Sequence, residues 1–212
     1  MAVAERKALE APPDFLLWLN DDVLLADDAL SRLLAALASA AGRAVAVGAL
    51  RDPRSHQLTY SGVRRAGRHP LRFRWIEPQG RPIEVDNLNG NVVLVPIEVA
   101  RRVGSIDAGF VHSAADFDYG LRARKVGARL MLASGFVGEC DREGGRETWL
   151  EPSIGPSERW RRLMGPKGLP GGPRARYLKR HGGPFWFLYW LSPYPRALRA
   201  LVLASLREAG RR

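Results

Sequence analysis

Two short acidic stretches have the residue types and the positions that a catalytic site needs. The first is Asn20-Asp21-Asp22, which directly follows the apolar run FLLWL at residues 15–19. Ligands of open α/β sheets bind beyond the carboxyl ends of strands, and Mg2+ or Mn2+ prefers carboxylate oxygens, which it often bridges to a diphosphate. The same residues could instead form an Asx turn that leads into a helix near residue 28. From the local sequence alone, the turn is the favoured interpretation.

The second stretch is HSAADFDYGLRAR, which contains Asp116 and Asp118. Both acids fall in the first turn of a predicted helix, where the backbone amide dipoles stabilise an ionised carboxylate. A carboxylate held rigidly at a sheet edge could act as a general base. Ser113 and Asp116 also have the S-x-x-D spacing of a capping box, which would place an acid here without any catalytic role. Taken alone, this motif favours capping.

Alternating strands and helices are predicted to position both stretches. Four apolar runs are typical of buried strands, FLLWL, AVAVGAL, GNVVLVP and ARLMLA. Helical patterns cover residues 2–11 and 96–102, together with ADDALSRLLAALASAAG, which Asp27 or Asp28 could cap, and SAADFDYGLRARKVG, which its last glycine ends. The segment 51–86 is polar and contains short strand-like pieces. The alternation predicts an α/β domain with a mainly parallel sheet flanked by helices.

The composition changes after about residue 150, which predicts a domain over 1–150 and a basic, aromatic, helical extension over 151–212. The chain has 33 Lys+Arg against 22 Asp+Glu, a formal charge of +11, which favours anionic partners. Nucleic acid is the weaker candidate, because the arginines are scattered and no recognition motif is present. Cys140 is the single cysteine, so an intramolecular disulfide and a cysteine-rich zinc site are excluded.

The two ends of the sequence suggest where in the cell the protein is located. Residues 184–212 join FWFLYWL to RALRALVLASLREAGRR, an aromatic patch beside basic residues. This pattern predicts either peripheral contact with a membrane surface or a helix that docks its apolar face on the domain. The first residues contain no signal-peptide pattern. We therefore expect a cytoplasmic protein, with peripheral contact at the inner face of the membrane as the alternative.

The order and spacing of these motifs resemble the family-two glycosyltransferases, which are inverting, metal-dependent enzymes with a partly Rossmann-like GT-A fold. The D-x-D-like motif of that family corresponds to Asn20-Asp21-Asp22. Gly90 opens the apolar strand that follows about seventy residues later. The later motifs are matched by Val103-Gly104-Ser105-Ile106-Asp107 with Phe110, and by Ala115-Asp116-Phe117-Asp118 with Arg122. The resemblance covers about residues 1–140.

The resemblance implies a role for each matched residue. Asp22 would be the ligand of Mg2+ or Mn2+, Asn20 and Asp21 would border the metal and the donor, and Asp116 would be the catalytic base. The positions on the acceptor side would be Asn89, Gly90, Asn91, His112 and Asp118. Asn89 and Asn91 could equally shape a turn, His112 could be an ordinary loop histidine, and Asp118 with Arg122 could hold the helix and loop in place. The implied donor is a UDP- or dTDP-activated sugar, and the implied acceptor is a bacterial cell-surface glycan or glycolipid.

Three departures from the family pattern modify this expectation. Ala115 replaces an acid before the base. No histidine lies near GFVGECD, so Glu139, Asp141 or a phosphate would have to complete the metal site. The family's first β-α-β-α half, which holds the nucleotide, has no counterpart before residue 15. The resemblance therefore implies the acceptor-side part of a hexosyl- or acetylhexosaminyltransferase, or alternatively a non-catalytic fragment that binds a glycan or a partner chain.

Overall fold

The fold is seen in a computed structural model, which describes residues 13–110, 114–141, 154–165 and 171–209. The helix predicted over 2–11 lies outside the described residues, as do His112 and Ser113. Contacts divide the chain into two compact units, Met1–Ala108 with Ala115–Arg142 and Gly109–Ala114 with Glu143–Arg212. The predicted boundary at residue 150 falls in a part of the chain that the structure does not describe.

The larger unit contains the strands of the described residues. In chain order these are β1 Phe15–Leu19, β2 Leu24–Leu25, β3 Ala44–Val47, β4 Leu50–Arg51, β5 Leu58–Tyr60, β6 Val63–Arg65, β7 Phe73–Trp75, β8 Ile83–Val85, β9 Val92–Pro96, β10 Arg129–Leu132 and β11 Gly138–Glu139. The four predicted buried runs and the short strand-like pieces all contain strands. The two-residue strands β2 and β11 were not predicted, because two residues are too few to show a period of alternation.

The main sheet has five strands in the order β1-β9-β3-β10-β8. Only β3 and β10 pair in parallel, whereas β1 with β9, β9 with β3, and β10 with β8 pair antiparallel. The expectation of a mainly parallel sheet is therefore wrong, because β9 inserts between β1 and β3 in the opposite direction. Two smaller sheets accompany it, β2-β11-β4-β5 and β6-β7.

Helices cover both faces of the main sheet. They are α1 Ala29–Ala38, α2 Ile97–Val103 and α3 Ala115–Lys125. The buried residues of α1 pack in one apolar cluster with alternate residues of β3 and β9, while the other cluster joins α2 and α3 to the opposite face. In the second cluster, the rings of Trp18 and Tyr119 meet edge to face at 4.5 Å between centroids. The helix that carries Asp116 is thus fixed to the strand that leads into Asn20.

Two predicted helix ends can be compared with the structure. Asp28 does occupy the N-cap of α1, but its side chain makes no capping hydrogen bond and pairs instead with Arg32 at 2.7 Å. The predicted capping role of Asp28 is therefore wrong. Gly127 follows α3 with φ of +84°, a left-handed conformation that favours glycine, so the predicted end of that helix is confirmed.

Strand β1 alternates between buried and exposed side chains. Leu16 and Trp18 are buried, while Phe15, Leu17 and Leu19 are each about 40% exposed. The prediction that FLLWL is fully buried is therefore wrong, because β1 lies at the edge of the sheet, beyond the area that α1 covers.

The smaller unit is helical in its described residues. Its helices are α4 Pro156–Met164, α5 Gly171–His181, α6 Trp186–Leu191 and α7 Tyr194–Ala209. Among the residues of these helices whose burial is described, the fully buried apolar side chains are Leu163, Tyr177, Leu178 and Ala197. A search of the described residues found no helix with the length and apolar character to cross a membrane.

Candidate active site

The first acidic stretch forms a turn at the end of β1. The Val23 amide donates to the Asn20 carbonyl at 3.4 Å, and the Asn20 amide donates to the Asn91 carbonyl at 3.0 Å. Asp21 and Asp22 are exposed. The two interpretations of this stretch are therefore compatible, since the turn presents both carboxylates to solvent at the carboxyl end of a strand.

The loop Asn89-Gly90-Asn91, between β8 and β9, links this turn to the start of α3. The Asn20 side-chain amide donates to the Asn91 side-chain oxygen. The backbone amide of Asn91 donates to Asn89 Oδ1 at 3.2 Å, and Asn89 Nδ2 donates to Asp116 Oδ2 at 3.4 Å. A continuous hydrogen-bonded chain therefore joins Asn20 to Asp116, although the two residues are far apart in sequence. We call it the asparagine relay.

Asp116 is held by backbone as well as by the relay. The Gly90 amide donates to Oδ2 at 3.0 Å, and the Phe117 amide donates to Oδ1 at 2.8 Å. A Cβ atom at Gly90 would lie 3.1 Å from the Cβ of Asp116, so a larger residue here would push the loop away from the acid. Asp116 retains some exposure as a residue, but burial of its carboxyl group raises its pKa, against the opposing effect of the Gly90 and Phe117 amides.

The loop is itself anchored by Asn87, a residue that the sequence did not single out. Asn87 is fully buried, and its Nδ2 donates to the Phe117 carbonyl at 3.1 Å. Its Oδ1 lies so close to Gly120 that a Cβ atom there would overlap it. Asn87 and Gly120 therefore set how closely α3 approaches the loop. The sequence feature that could have identified Asn87 is the cluster of three asparagines in NLNGN, directly before an apolar strand.

Asp118 and Arg122 hold α3 to the preceding segment. The Asp118 side chain is fully buried and accepts a hydrogen bond from Arg122 Nε at 2.8 Å. The remaining Arg122 nitrogens donate to the carbonyls of Val103 and Ser105 at 2.6 and 3.0 Å. The buried position of Asp118 fits a role in holding α3 in place and not direct contact with an acceptor. It also explains why Arg122 follows the acid pair at helical spacing.

A cleft of about 510 Å³ lies beside the turn, lined by β2, β11 and the start of α1. Its charged residues include Asp27 and two ion pairs, Arg32 with Asp28 at 2.7 Å and Arg51 with Glu139 at 2.9 Å. Cys140, which directly follows β11, directs its buried thiol at Asp22 Oδ2 at 3.5 Å. The lining of the cleft begins at Leu24, two residues after Asp22, and ends at Glu139, the residue before Cys140.

Comparison with solved structures identifies the fold. The structure of GalNAc-T7 with UDP, GalNAc and Mn2+ superposes with a TM-score of 0.60 at 13% identity, over 92% of this chain and 36% of that one. Mannosyltransferase PcManGT from Pyrobaculum calidifontis, in complex with GDP-Man and Mn2+, gives 0.51 at 15% identity, over 99% of this chain and 55% of that one. This chain has a GT-A-type fold. The α/β GT-A prediction is thereby confirmed.

The chain spans only about a third and about half of the lengths of these two neighbours. No family model matches the sequence, and no curated protein matches it. Identities of 13% and 15% establish the fold alone.

The donor set of the GT-A domain suits a divalent cation that arrives with a phosphorylated ligand. Within the described residues, no group of three or more His, Cys, Asp or Glu side chains could hold a metal. Asp22 supplies one exposed carboxylate, and the Cys140 thiol lies beside it. Mg2+ is commonly bound by one or two carboxylates together with substrate phosphates and water. The exposed carboxylate of Asp22 could therefore supply one ligand to a divalent cation.

The raised pKa of Asp116 predicts a specific pH dependence of stability. Between the ordinary value of 3.8 and its raised folded value, the folded protein keeps a proton that the unfolded chain has lost. This contribution to the free energy of unfolding is therefore present at low pH and is lost as the pH rises through the folded pKa. In urea, the free energy of unfolding of the wild type relative to that of Asp116→Asn should fall as the pH rises through the folded pKa of Asp116. A difference that is constant from pH 4 upwards would contradict the raised pKa.

Proposed function

We propose that the GT-A domain is the catalytic, acceptor-side part of an inverting glycosyltransferase of the family-two type. It moves a hexosyl or acetylhexosaminyl group from a UDP- or dTDP-activated sugar to a glycan or glycolipid of the bacterial cell surface. The observation that carries the proposal is the asparagine relay, because it joins the strand-end motif to the acid that opens α3. Three motifs with no local connection in sequence thereby form one site.

In this proposal Asp116 is the general base. Its oxygens are fixed by Gly90 and Phe117, so the carboxylate does not have to reorganise when the acceptor binds. Desolvation makes it a stronger base than an exposed aspartate, because burial disfavours its charged form. It takes the proton from the acceptor hydroxyl, whose oxygen attacks the anomeric carbon, and the bond to the nucleoside diphosphate breaks with inversion. Asn89, Gly90 and Asn91 border the acceptor.

The donor lies on the side of Asp22. Asn20 and Asp21 border it, and the cleft beside β2 and β11 provides the space next to the turn. A divalent cation bound by Asp22, when present, would neutralise the charge that develops on the departing diphosphate. Asp22 thus positions the leaving group, while Asp116 acts on the nucleophile.

A glycan-binding module without turnover is the second candidate, and the surroundings of Asp116 favour it. The carboxylate already accepts hydrogen bonds from Asn89, Gly90 and Phe117. An acid engaged in this way could serve only to fix the loop to α3.

One experiment separates the two candidates. Nucleotide-activated sugars are screened with Mn2+ and bacterial glycan acceptors, and the released nucleoside diphosphate is measured. The transferase predicts metal-dependent release with one donor class, and NMR of the product anomer tests inversion. Glycan binding without nucleoside diphosphate release from any donor would support the binding module.

Replacing Asp22 tests its role as the metal ligand. Asp22→Asn keeps the size of the side chain but removes the charge, so Mn2+-dependent turnover should fall at least roughly tenfold, by analogy with losses at metal sites. The fold should be unaffected, because Asp22 is exposed. Asp14→Asn, an exposed acid just before β1, is the matched control. Unchanged Mn2+ dependence in Asp22→Asn would remove Asp22 from the metal site.

The predicted lack of a nucleotide-binding half stays a prediction. Among the described residues, Asp22 would offer the diphosphate a metal ligand but no site for the nucleotide base is assigned, so we expect weak binding of UDP with Mn2+. Calorimetry with UDP and Mn2+ checks this directly. Tight, metal-dependent binding would show that this chain builds its own nucleotide site.

A further inference from the structure

Helix α6 presents an unusual surface for a helix in a small unit. Its sequence, WFLYWL, contains only aromatic and apolar residues, and none of them is buried. Phe187, Leu188 and Leu191 are between 44% and 53% exposed, and Phe185, which precedes the helix, is 62% exposed. A contiguous exposed patch of this kind indicates an interaction surface.

Helix α7 extends the patch. Leu198, Val202 and Leu206 are spaced four residues apart and so lie on one side of the helix. Their exposures are 63%, 50% and 64%. The side that faces the unit is marked by Ala197, which is buried. Among the described side chains of α7, Leu198, Val202 and Leu206 form an exposed apolar stripe.

An apolar groove connects these helices to α4. It has a volume of about 570 Å³ and is lined by Trp160, Leu163, Leu191, Tyr194, Ala197 and Leu198. Trp160 is itself 55% exposed. The groove opens beside the α7 stripe, because Leu198 belongs to both. Its size and lining suit a hydrocarbon chain.

The charge around this patch is predominantly positive, since the two acids of these helices are Glu158 in α4, which pairs with Arg161 and Arg162, and Glu208 near the end of α7. From residue 171 to residue 207 the sequence contains seven Arg or Lys and no Asp or Glu. Lys179 Nζ lies 5.0 Å from the Trp186 ring centroid, and Arg174 donates to the Tyr189 carbonyl at 2.9 Å. Arg196 and Arg199 are exposed on α7. Cationic groups therefore border the aromatic and apolar residues.

We propose that this surface, formed by α4 to α7, binds the surface of a bilayer that contains anionic lipids. Helices of this kind lie in the headgroup region with their apolar side inserted and their basic residues near lipid phosphates. Trp and Tyr rings, which combine an apolar body with a polar atom, favour the same region. The proposal does not rest on glycosyl transfer, because every residue that supports it belongs to the helical unit.

Vesicle flotation of the full chain tests the proposal. The wild type should float with phosphatidylcholine vesicles that contain phosphatidylglycerol, and much less with phosphatidylcholine alone. The triple variant Leu198→Gln, Val202→Gln, Leu206→Gln should bind at least tenfold more weakly, because it removes the apolar stripe while keeping good helix formers. Arg196→Gln with Arg199→Gln should weaken binding to the anionic vesicles by roughly tenfold to thirtyfold at low salt.

Matched controls exist in the GT-A domain. Leu30→Gln with Leu34→Gln changes exposed leucines of α1, and Arg54→Gln with Arg68→Gln removes two exposed charges. Both should bind vesicles like the wild type. A wild type that floats with neither vesicle type, or equally with both, would overturn the proposal, as would equal flotation of the triple variant. A dimer in sedimentation that the triple variant dissociates, without vesicle binding, would assign the surface to a second copy instead.

Discussion

Asp116→Asn is expected to lower glycosyl transfer by roughly a hundredfold or more, the range that general bases contribute. The free energy of unfolding should change by no more than about 1 kcal/mol, because two effects oppose each other. Removing the charge relieves the desolvation that raises the pKa of Asp116. The new side-chain NH2, however, faces either the Phe117 amide, which loses one hydrogen bond, or the Gly90 and Asn89 donors, which lose two.

Measuring both turnover and stability of Asp116→Asn shows whether Asp116 acts as a catalytic base or only fixes the loop to α3. Initial rates are measured at saturating donor, and unfolding is followed in urea, with Asp14→Asn as the control. An anchor without a chemical role would give an Asp116→Asn protein whose folded fraction turns over normally. Such a result would place the base elsewhere.

Asp118→Ala is expected to have the largest effect on stability, a loss of about 3–5 kcal/mol. The Asp118 side chain is fully buried, and the Arg122 side chain beside it is 19% exposed. Without the carboxylate, the guanidinium keeps its hydrogen bonds to Val103 and Ser105 but loses the charge that compensates it. The expected loss of stability therefore comes from the uncompensated charge of Arg122, while its hydrogen bonds still link α3 to the end of α2.

The control for the buried Asp118–Arg122 pair is an ion pair of the same sequence spacing on the solvent-exposed side of α1. Asp28 and Arg32 also stand four residues apart, with both side chains exposed. Asp28→Ala should therefore change urea unfolding far less than Asp118→Ala, since exposed pairs contribute little. Equal losses at the two positions would show that burial of the Asp118 pair has no special importance.

The sequence predicted the strands and helices better than the way they pair. FLLWL and AVAVGAL are both apolar throughout, yet β1 is an edge strand and β3 is central. Apolar residues on both faces predict burial, and no local pattern reveals which strand lies outermost. The antiparallel insertion of β9 depends on how the long polar segment returns the chain to the sheet. That geometry is non-local, so periodicity cannot predict it.

The sequence predicted the acidic residues of the candidate site but not the hydrogen bonds that connect them. Asp22 and Asp116 stand out because carboxylates at element ends are chemically distinctive. The asparagine relay could not be predicted, because amide side chains are common in turns and a hydrogen bond between Asn20 and Asn91 has no local signature. The contact of Cys140 with Asp22 was missed for a similar reason, since β11 is only two residues long.

A double-mutant cycle on Asp22 and Asp116 tests the central claim, that the two acids serve one site, most directly. Metal-dependent release of nucleoside diphosphate is measured for the wild type, Asp22→Asn, Asp116→Asn and the double variant. Residues that act together in one reaction are strongly non-additive. We expect Asp22→Asn to lower release at least roughly tenfold and Asp116→Asn roughly a hundredfold or more, with the double variant no worse than the poorer single variant. Independent, multiplying losses, or normal release by either single variant, would contradict it.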